Sequence, residues 1–362
     1  MPIPSIPAIA SRIARSARCP RLTAPAYFAL AAFSSIVSYS QTPTAPPIQS
    51  SAAIWFHPQP AFIGPQANGL PDFLPLFQPD APWPRAMAKT RVIGLYAGWI
   101  SAVSPQVLRQ VVNFINAHDM TIEIEAPSLQ AQSTCGSGVE GYVPYGQSLT
   151  TFTISYLQRL KAFGAQRIVV KVDEPFYFGV VVNDPHSCHF SVQQTAQYVG
   201  HYAQLVKSVY PDAEIGDVEP IIDSAYPPGV VKAIAEWHET YRAVTGAPFP
   251  FFFADIEFGY QAWPQLVLAI EQQTHQLGMK FGIIYIGDPT DLTDAEWAAK
   301  TIERYYTYQA DSGGKPDFVL FQSWEQHPYV FLPETNPFTF TGVLDSYIAA
   351  TTTPATEPTV GP

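Results

Sequence analysis

Charged residues are scarce in this chain. Asp, Glu, Lys and Arg make up 14% of 362 residues, against 47% hydrophobic and 14% aromatic. That balance excludes a disordered chain and supplies apolar material for a large core. Basic residues are scarcer than acidic ones, 19 against 30, and the formal charge of −11 argues against a polyanionic partner such as nucleic acid. The P-loop, H-E-x-x-H and G-x-S-x-G are all missing, so the signatures of P-loop phosphate binding, zinc proteolysis and α/β-hydrolase chemistry are missing with them.

A spanning apolar run is also lacking at the N-terminus. Ala24 to Val37 (APAYFALAAFSSIV) has fourteen apolar or small residues, too few to cross a bilayer comfortably. Four arginines (Arg12, Arg15, Arg18 and Arg21) precede or adjoin it, and Ser38-Tyr39-Ser40 offers small residues before Gln41. This is the pattern of a signal peptide over residues 1–40, with an uncleaved anchor as the competing interpretation. Its removal takes the charge from −11 to −15 and implies a secreted or periplasmic protein with no membrane attachment. Cysteine is scarce too. Cys19 leaves with the signal, and the remaining two, Cys135 and Cys188, are expected to pair in an oxidising compartment. His186 and His189 flank Cys188, which suggests a metal site as the alternative.

Residues 41–51 form a Pro/Thr/Ser linker and 351–362 a similar tail, both expected to be disordered. Between them one pattern repeats. Strand-like runs occur at 51–59, 91–99, 120–127, 167–175, 213–220, 250–258, 280–288 and 317–325. Helical segments fill the gaps, with Ser104-Pro105 opening one, and with capping boxes at Ser191/Gln194 and Thr293/Glu296. Strand and helix alternating eight times predict an α/β fold, a single (β/α)8 barrel over residues 52–350, with a doubly wound open sheet as the alternative.

Such barrels place their chemistry at the C-terminal ends of the strands. The period of two puts Glu123 with Glu125, Lys171 with Asp173, Asp217 with Glu219 and Asp255 with Glu257, opposite mostly apolar residues. All are therefore expected to point into the barrel mouth. Crowded carboxylates raise one another's pKa values, and a protonated acid beside an ionised one is what glycoside hydrolysis requires. Aromatic residues recur at or just beyond the strand ends (Trp55, Tyr96, Trp99, Phe176, Tyr177, Phe258, Tyr260, Trp324 and Tyr329), where flat rings would stack on sugars. His57, Gln322, Trp324 and Glu325 add polar contacts.

The ending Asp173-Glu174-Pro175 of the fourth strand resembles the Asn-Glu-Pro found there in the large clan of retaining (β/α)8 glycoside hydrolases. The resemblance implies that Glu174 is the acid/base. That clan carries its nucleophile at the end of the seventh strand, where this chain offers only Asp288, so Glu257, Glu219 and Glu325 compete for that role. The Asp-Glu pair also looks like that of substrate-assisted hexosaminidases, in which no protein nucleophile is needed. Asp173, the neighbouring acids and the rings of Phe176 and Tyr177 are expected to keep Glu174 protonated, with Lys171 paired to Asp173. The catalytic candidates are thus Glu174, Glu257 and Asp288. The substrate-binding candidates are His57, Tyr96, Trp99, Glu125, Lys171, Asp173, Tyr177, Asp217, Glu219, Asp255, Gln322, Trp324 and Glu325. The expectation is a monomeric secreted glycosidase acting on carbohydrate, with no metal or other cofactor. The alternatives are a metal-dependent lyase or isomerase and an inactive glycan-binding barrel.

Overall fold

The computed structural model describes residues 48–58, 72–136, 141–227, 229–288, 290–323 and 327–352. The expected signal segment, most of the linker and tail, and the site candidates Trp324 and Glu325 lie outside these residues.

Eight strands close into a barrel: β1 (Ala53–His57), β2 (Thr90–Tyr96), β3 (Thr121–Ala126), β4 (Ile168–Asp173), β5 (Glu214–Ile221), β6 (Phe251–Ile256), β7 (Lys280–Tyr285) and β8 (Phe318–Gln322). Each overlaps one of the eight expected segments, and every neighbouring pair is parallel. The pairing of β1 with β8, from Ala53 opposite Phe318 to His57 opposite Gln322, closes the ring and rules out the open sheet. Nine helices occur among the described residues: α1 (Pro84–Lys89), α2 (Ala97–Ala102), α3 (Pro105–Ala117), α4 (Leu149–Ala162), α5 (Val192–Val209), α6 (Val230–Thr245), α7 (Trp263–Gln276), α8 (Asp294–Tyr305) and α9 (Phe340–Thr352).

Their ends follow the local chemistry. Ser104 accepts from the Val107 N–H with Pro105 at the first helical position, and Ser191 and Gln194 form the full capping box of α5. Only half of the second expected box forms. Thr293 accepts from the Glu296 N–H, but the Glu296 carboxylate accepts from the Leu292 N–H instead of that of Thr293. Ile48, within the expected linker, is buried and its N–H donates to the Ala350 carbonyl; α9 itself runs two residues past the expected boundary.

Period-two alternation divides the apolar residues into two cores. Ile122, Ile124, Val170, Val172, Phe252 and Ala254 face outward under the helices, in one cluster with Tyr156, Leu157, Trp237 and Trp297. The inward positions form a separate plug of Trp55, Val92, Val169, Val218, Phe251, Phe253, Ile284, Ile286 and Leu320. Trp55 meets Phe253 edge-on at 4.9 Å, a geometry favoured by the ring quadrupoles. The plug fills the barrel, so ligands can reach only its ends.

The loops after β3 and β4 are joined by the expected disulfide, Cys135–Cys188, with a Cα separation of 4.6 Å. The bridge spans 53 residues of sequence. Replacing both cysteines by serine should cost on the order of 2–4 kcal/mol through the freed entropy of the unfolded chain. Denaturant unfolding of the double variant beside the oxidised wild type measures this.

Candidate active site at the barrel mouth

Above the apolar plug the inward positions become polar. His57 at the end of β1, Tyr96 on β2, Glu123 and Glu125 on β3, Lys171 and Asp173 on β4, Asp255 on β6 and Gln322 on β8 share the inward face. Their strand neighbours Phe56, Leu95, Ile124, Val172, Ala254 and Phe321 lie in the outer core.

Lys171 is the centre of this layer. Its fully buried ammonium lies 2.6 Å from a Glu125 oxygen and donates to the Gln322 carbonyl oxygen at 2.8 Å. Gln322 then donates its amide to Glu125 at 2.8 Å and to the Tyr96 hydroxyl at 3.4 Å. Burial alone would favour the neutral amine. The attraction of Glu125, Glu123 and Asp173 outweighs it and holds the ammonium above its usual pKa. Glu125 responds in the opposite sense. Burial pushes it up, yet Lys171 and His57, with the Lys171 and Gln322 hydrogen bonds, bring it below the usual carboxylate value. The expected pairing of Lys171 with Asp173 is therefore corrected: the close partner is Glu125, and Asp173 adds a further attraction.

Next to this network His57 Nδ1 lies 2.8 Å from a Glu123 oxygen, both side chains fully buried, and the imidazole packs on Tyr96 at 4.4 Å. Gly94 permits the pair, since a Cβ there would collide with the His57 ring and the Glu123 carboxylate. Donor atoms of His57, Glu123 and Glu125 all lie within 4.8 Å of one another, a spacing that a divalent ion could bridge. The Lys171 ammonium already supplies positive charge to Glu125 in that cluster.

Strand β5 departs from the expectation. Asp217 and Glu219 point outward, away from the mouth. The inward positions are Gly216, Val218 and Pro220, and a side chain at Gly216 would overlap the ring of Phe251. With the interior filled there, the acids turn to the helix layer. One Asp217 oxygen accepts from Trp237 Nε1 at 2.8 Å and lies 3.1 Å from His238 Nε2 on α6. The two Glu219 oxygens accept from the N–H groups of Phe176 and Tyr177 at 2.6 and 2.8 Å. Burial and the nearby Asp217 push Glu219 well above its usual value, while the Phe176 and Tyr177 amides pull the other way.

Those amides open the turn that follows Glu174. Glu174 itself has φ +45°, a left-handed conformation costly for a side-chain-bearing residue, and its N–H donates to the Val218 carbonyl at 3.1 Å. The residue is 9% exposed. Phe176 stacks on Trp237 at 5.6 Å, and Gly141, from the loop after β3, packs against the Asp173 carbonyl. The kink is thus fixed from three sides. Half-buried Tyr177 has its phenol pushed up by burial and by two carboxylates, Glu174 and Glu257. Glu257 is exposed, just past β6.

Asp288, the third catalytic candidate, is engaged in a local turn. It accepts from the backbone N–H and the hydroxyl of Thr290 at 2.8 and 2.6 Å, and its own N–H donates to Asp291. Partial burial raises it, but Thr290, Arg304 and Lys300 outweigh that and hold it below the usual carboxylate range. The aromatic expectation also needs correction. Trp99 sits in α2, buried against Phe73; Trp55 belongs to the plug and Phe176 to the outer core. Tyr260 and Tyr329 are exposed, and Tyr96 and Phe258 half-buried. Sequence reasoning missed Tyr226, in the loop after β5. It is almost fully buried, its hydroxyl has no hydrogen-bond partner among the described residues, and its pKa is raised by burial and by Glu219 and Glu174. No strand-end position marks it in the sequence.

Asp255 is pushed up toward neutrality. Burial raises it most, Lys171 opposes, Glu125 reinforces, and the result is about 6 against an ordinary 3.8. Some of its surface is still reached by solvent at the mouth. Because the folded-state pKa is raised, its proton stabilises the fold fully below pH 3.8, and that contribution is lost as pH rises through about 6. Asp255→Asn should therefore unfold at a higher temperature than wild type at pH 7–8, with the gap closing by about pH 4. Thermal melts of both proteins across this range test it.

The chain matches no protein-family model and no curated protein. Solved structures similar to it include a GH30 endoxylanase from Clostridium papyrosolvens, at TM-score 0.49 and 10% identity over 83% of this chain and 72% of that one. A putative α-L-fucosidase from Bacteroides thetaiotaomicron gives 0.48 and 11% over 87% and 98%. A D-psicose 3-epimerase gives 0.41 and 9% over 75% and 84%. These are likenesses of barrels, and any statement about activity has to come from the mouth itself.

Proposed function

We propose that the protein is an extracytoplasmic glycoside hydrolase acting on a poly- or oligosaccharide, with Glu174 as proton donor and Glu257 as the partner carboxylate. The observation that carries this reading is that the acids past the ends of β4 and β6, Glu174 and Glu257, both act electrostatically on the half-buried Tyr177 phenol. A pair of carboxylates supplied by different strand ends beside an aromatic ring has the composition of a glycosidase centre. Glu174 would protonate the leaving oxygen, and Glu257 would attack the anomeric carbon or activate water. Glu219 acts through Glu174, as a positioning residue that holds the turn behind it. On the floor, ionised Glu125 accepts from the hydroxyl groups of a sugar, and Asp255 can donate only as pH falls through about 6. The Cys135–Cys188 bridge supports an oxidising location.

A second reading, a metal-dependent lyase or isomerase, is favoured by the His57, Glu123 and Glu125 cluster. In the glycosidase, EDTA leaves activity essentially intact. Complete loss on chelation, restored by Mg²⁺ or Mn²⁺, would establish the second reading.

The role of Glu174 is tested by Glu174→Gln, which keeps the shape and removes the transferable proton. Hydrolysis of a substrate with a poor leaving group should fall by about 10²–10⁴-fold. An activated aryl glycoside, whose leaving group needs little protonation, should lose far less in the bond-breaking step. Equal loss on both substrates counts against proton donation, and unchanged rates on both refute the assignment.

A further inference from the structure

A larger cavity, of about 760 Å³, lies between α5 and α6 beside the start of β5, away from the mouth, and nothing in the structure shows what would fill it. The smaller one is more informative. It has a volume of about 320 Å³ and is lined by Gln132, Ser133, Thr134, Cys135, Tyr145 and His186. These residues belong to the loops after β3 and β4, both on the face that carries Glu174. We propose that this cavity is a distal sugar-binding subsite, which holds one ring of the polysaccharide whose hydrolysis is proposed above.

Four observations support it. Tyr145 is 58% exposed, and an aromatic ring left in water beside a cavity is a flat surface for the C–H face of a pyranose. The other lining side chains offer an amide, two hydroxyls and an imidazole, donors and acceptors that suit the hydroxyl groups of a neutral sugar. The size sits at the lower end of the roughly 300–1,000 Å³ of small-molecule sites. Last, the walls are fixed before any ligand arrives. The disulfide joins them, Gly136 N–H donates to the His186 carbonyl at 3.0 Å, and Gln132 and Cys135 exchange two backbone bonds at 3.1 and 3.2 Å. The His186 N–H donates to Asp184 at 2.6 Å, and the Asp184 N–H to Ser187 at 2.8 Å. Walls held in this way at their described residues lower the entropy cost of binding.

The subsite is linked to the proposed centre through the first of these loops, which carries both Tyr145 and Gly141, the residue packed on the Asp173 carbonyl next to Glu174. A long glycan engaged at Glu174 would use Tyr145 for a more distant ring, whereas a single-sugar substrate would not reach it.

The test compares wild type, Tyr145→Ala and Tyr145→Phe on two kinds of substrate. One is whichever of soluble galactan, xylan, mixed-linkage glucan and chitosan the wild type cleaves fastest; the other is an aryl monosaccharide glycoside. Tyr145→Ala should raise KM for the polysaccharide about tenfold, equivalent to ~1.4 kcal/mol, with kcat little changed. Its constants on the aryl glycoside should match wild type, and Tyr145→Phe, which keeps the ring, should match wild type on both. An unchanged KM for the polysaccharide overturns the subsite while leaving the hydrolase reading in place. Equal loss on both substrates also overturns it, because the effect would then belong to the centre. If wild type cleaves no glycan, the functional reading fails and the subsite with it.

Discussion

A buried ammonium sets the terms for the whole mouth. Lys171 has no solvent to share its charge, so acceptors must surround it, and Glu125 and Gln322 fill that need at 2.6 and 2.8 Å. Glu125 is in turn held to one orientation by Gln322, which also reaches Tyr96. Four strand ends, of β2, β3, β4 and β8, are thereby locked through one cation. The close approach of His57 and Glu123 beside it needs the missing side chain of Gly94. Lys171, Glu125 and Gln322, each costly to bury alone, satisfy one another here, whereas the buried His57 and Glu123 polar atoms make no hydrogen bond among the described residues.

A second, separate network positions the rim. Glu219 could have been a ligand-facing acid, yet it spends both oxygens on the Phe176 and Tyr177 amides. Those bonds, with the stacking of Phe176 on Trp237, hold the chain in the turn that Glu174 enters at positive φ. The strained residue sits where the proposed proton donor is needed, and the cost of its conformation is offset in part by these contacts on the outer face of the barrel. Outer core and rim are thus coupled through one peptide segment.

How much of this the sequence discloses depends on which physical rule controls each residue. Strands and closure are legible because alternation is enforced by two different cores: Ile122 and Ile124 must lie under helices, which forces Glu123 and Glu125 inward. The same rule fails on β5. There the interior is already occupied by Phe251, whose ring takes the space that a side chain at Gly216 would need, so the glycine, Val218 and Pro220 face inward and the acids do not. Nothing local in AEIGDVEP reveals that; the deciding ring lies on the next strand. Trp99 misleads for a related reason. It follows β2 directly, but the chain enters α2 at Ala97 and carries the indole into the core. Aromatic residues at strand ends look alike in sequence, and only their burial separates wall from platform.

The charge balance of the floor narrows what it can hold. One lysine serves several acids, and its influence is unequal: it lowers Glu125, which it touches, and cannot overcome the burial of Asp255. Ionised Glu125 raises Asp255 further, to about 6, so the two carboxylates differ in protonation state only as pH falls through that value. The result is a fixed acceptor beside a group that gains its proton in mildly acidic solution. A carboxylated ligand would meet ionised Glu125, whose neighbouring Lys171 ammonium is buried and already committed to it. A neutral polyol meets no such repulsion, and its hydroxyl groups can donate to Glu125. That charge balance accords with the uncharged sugar proposed above, as do the amide, hydroxyl and imidazole groups that line the distal cavity.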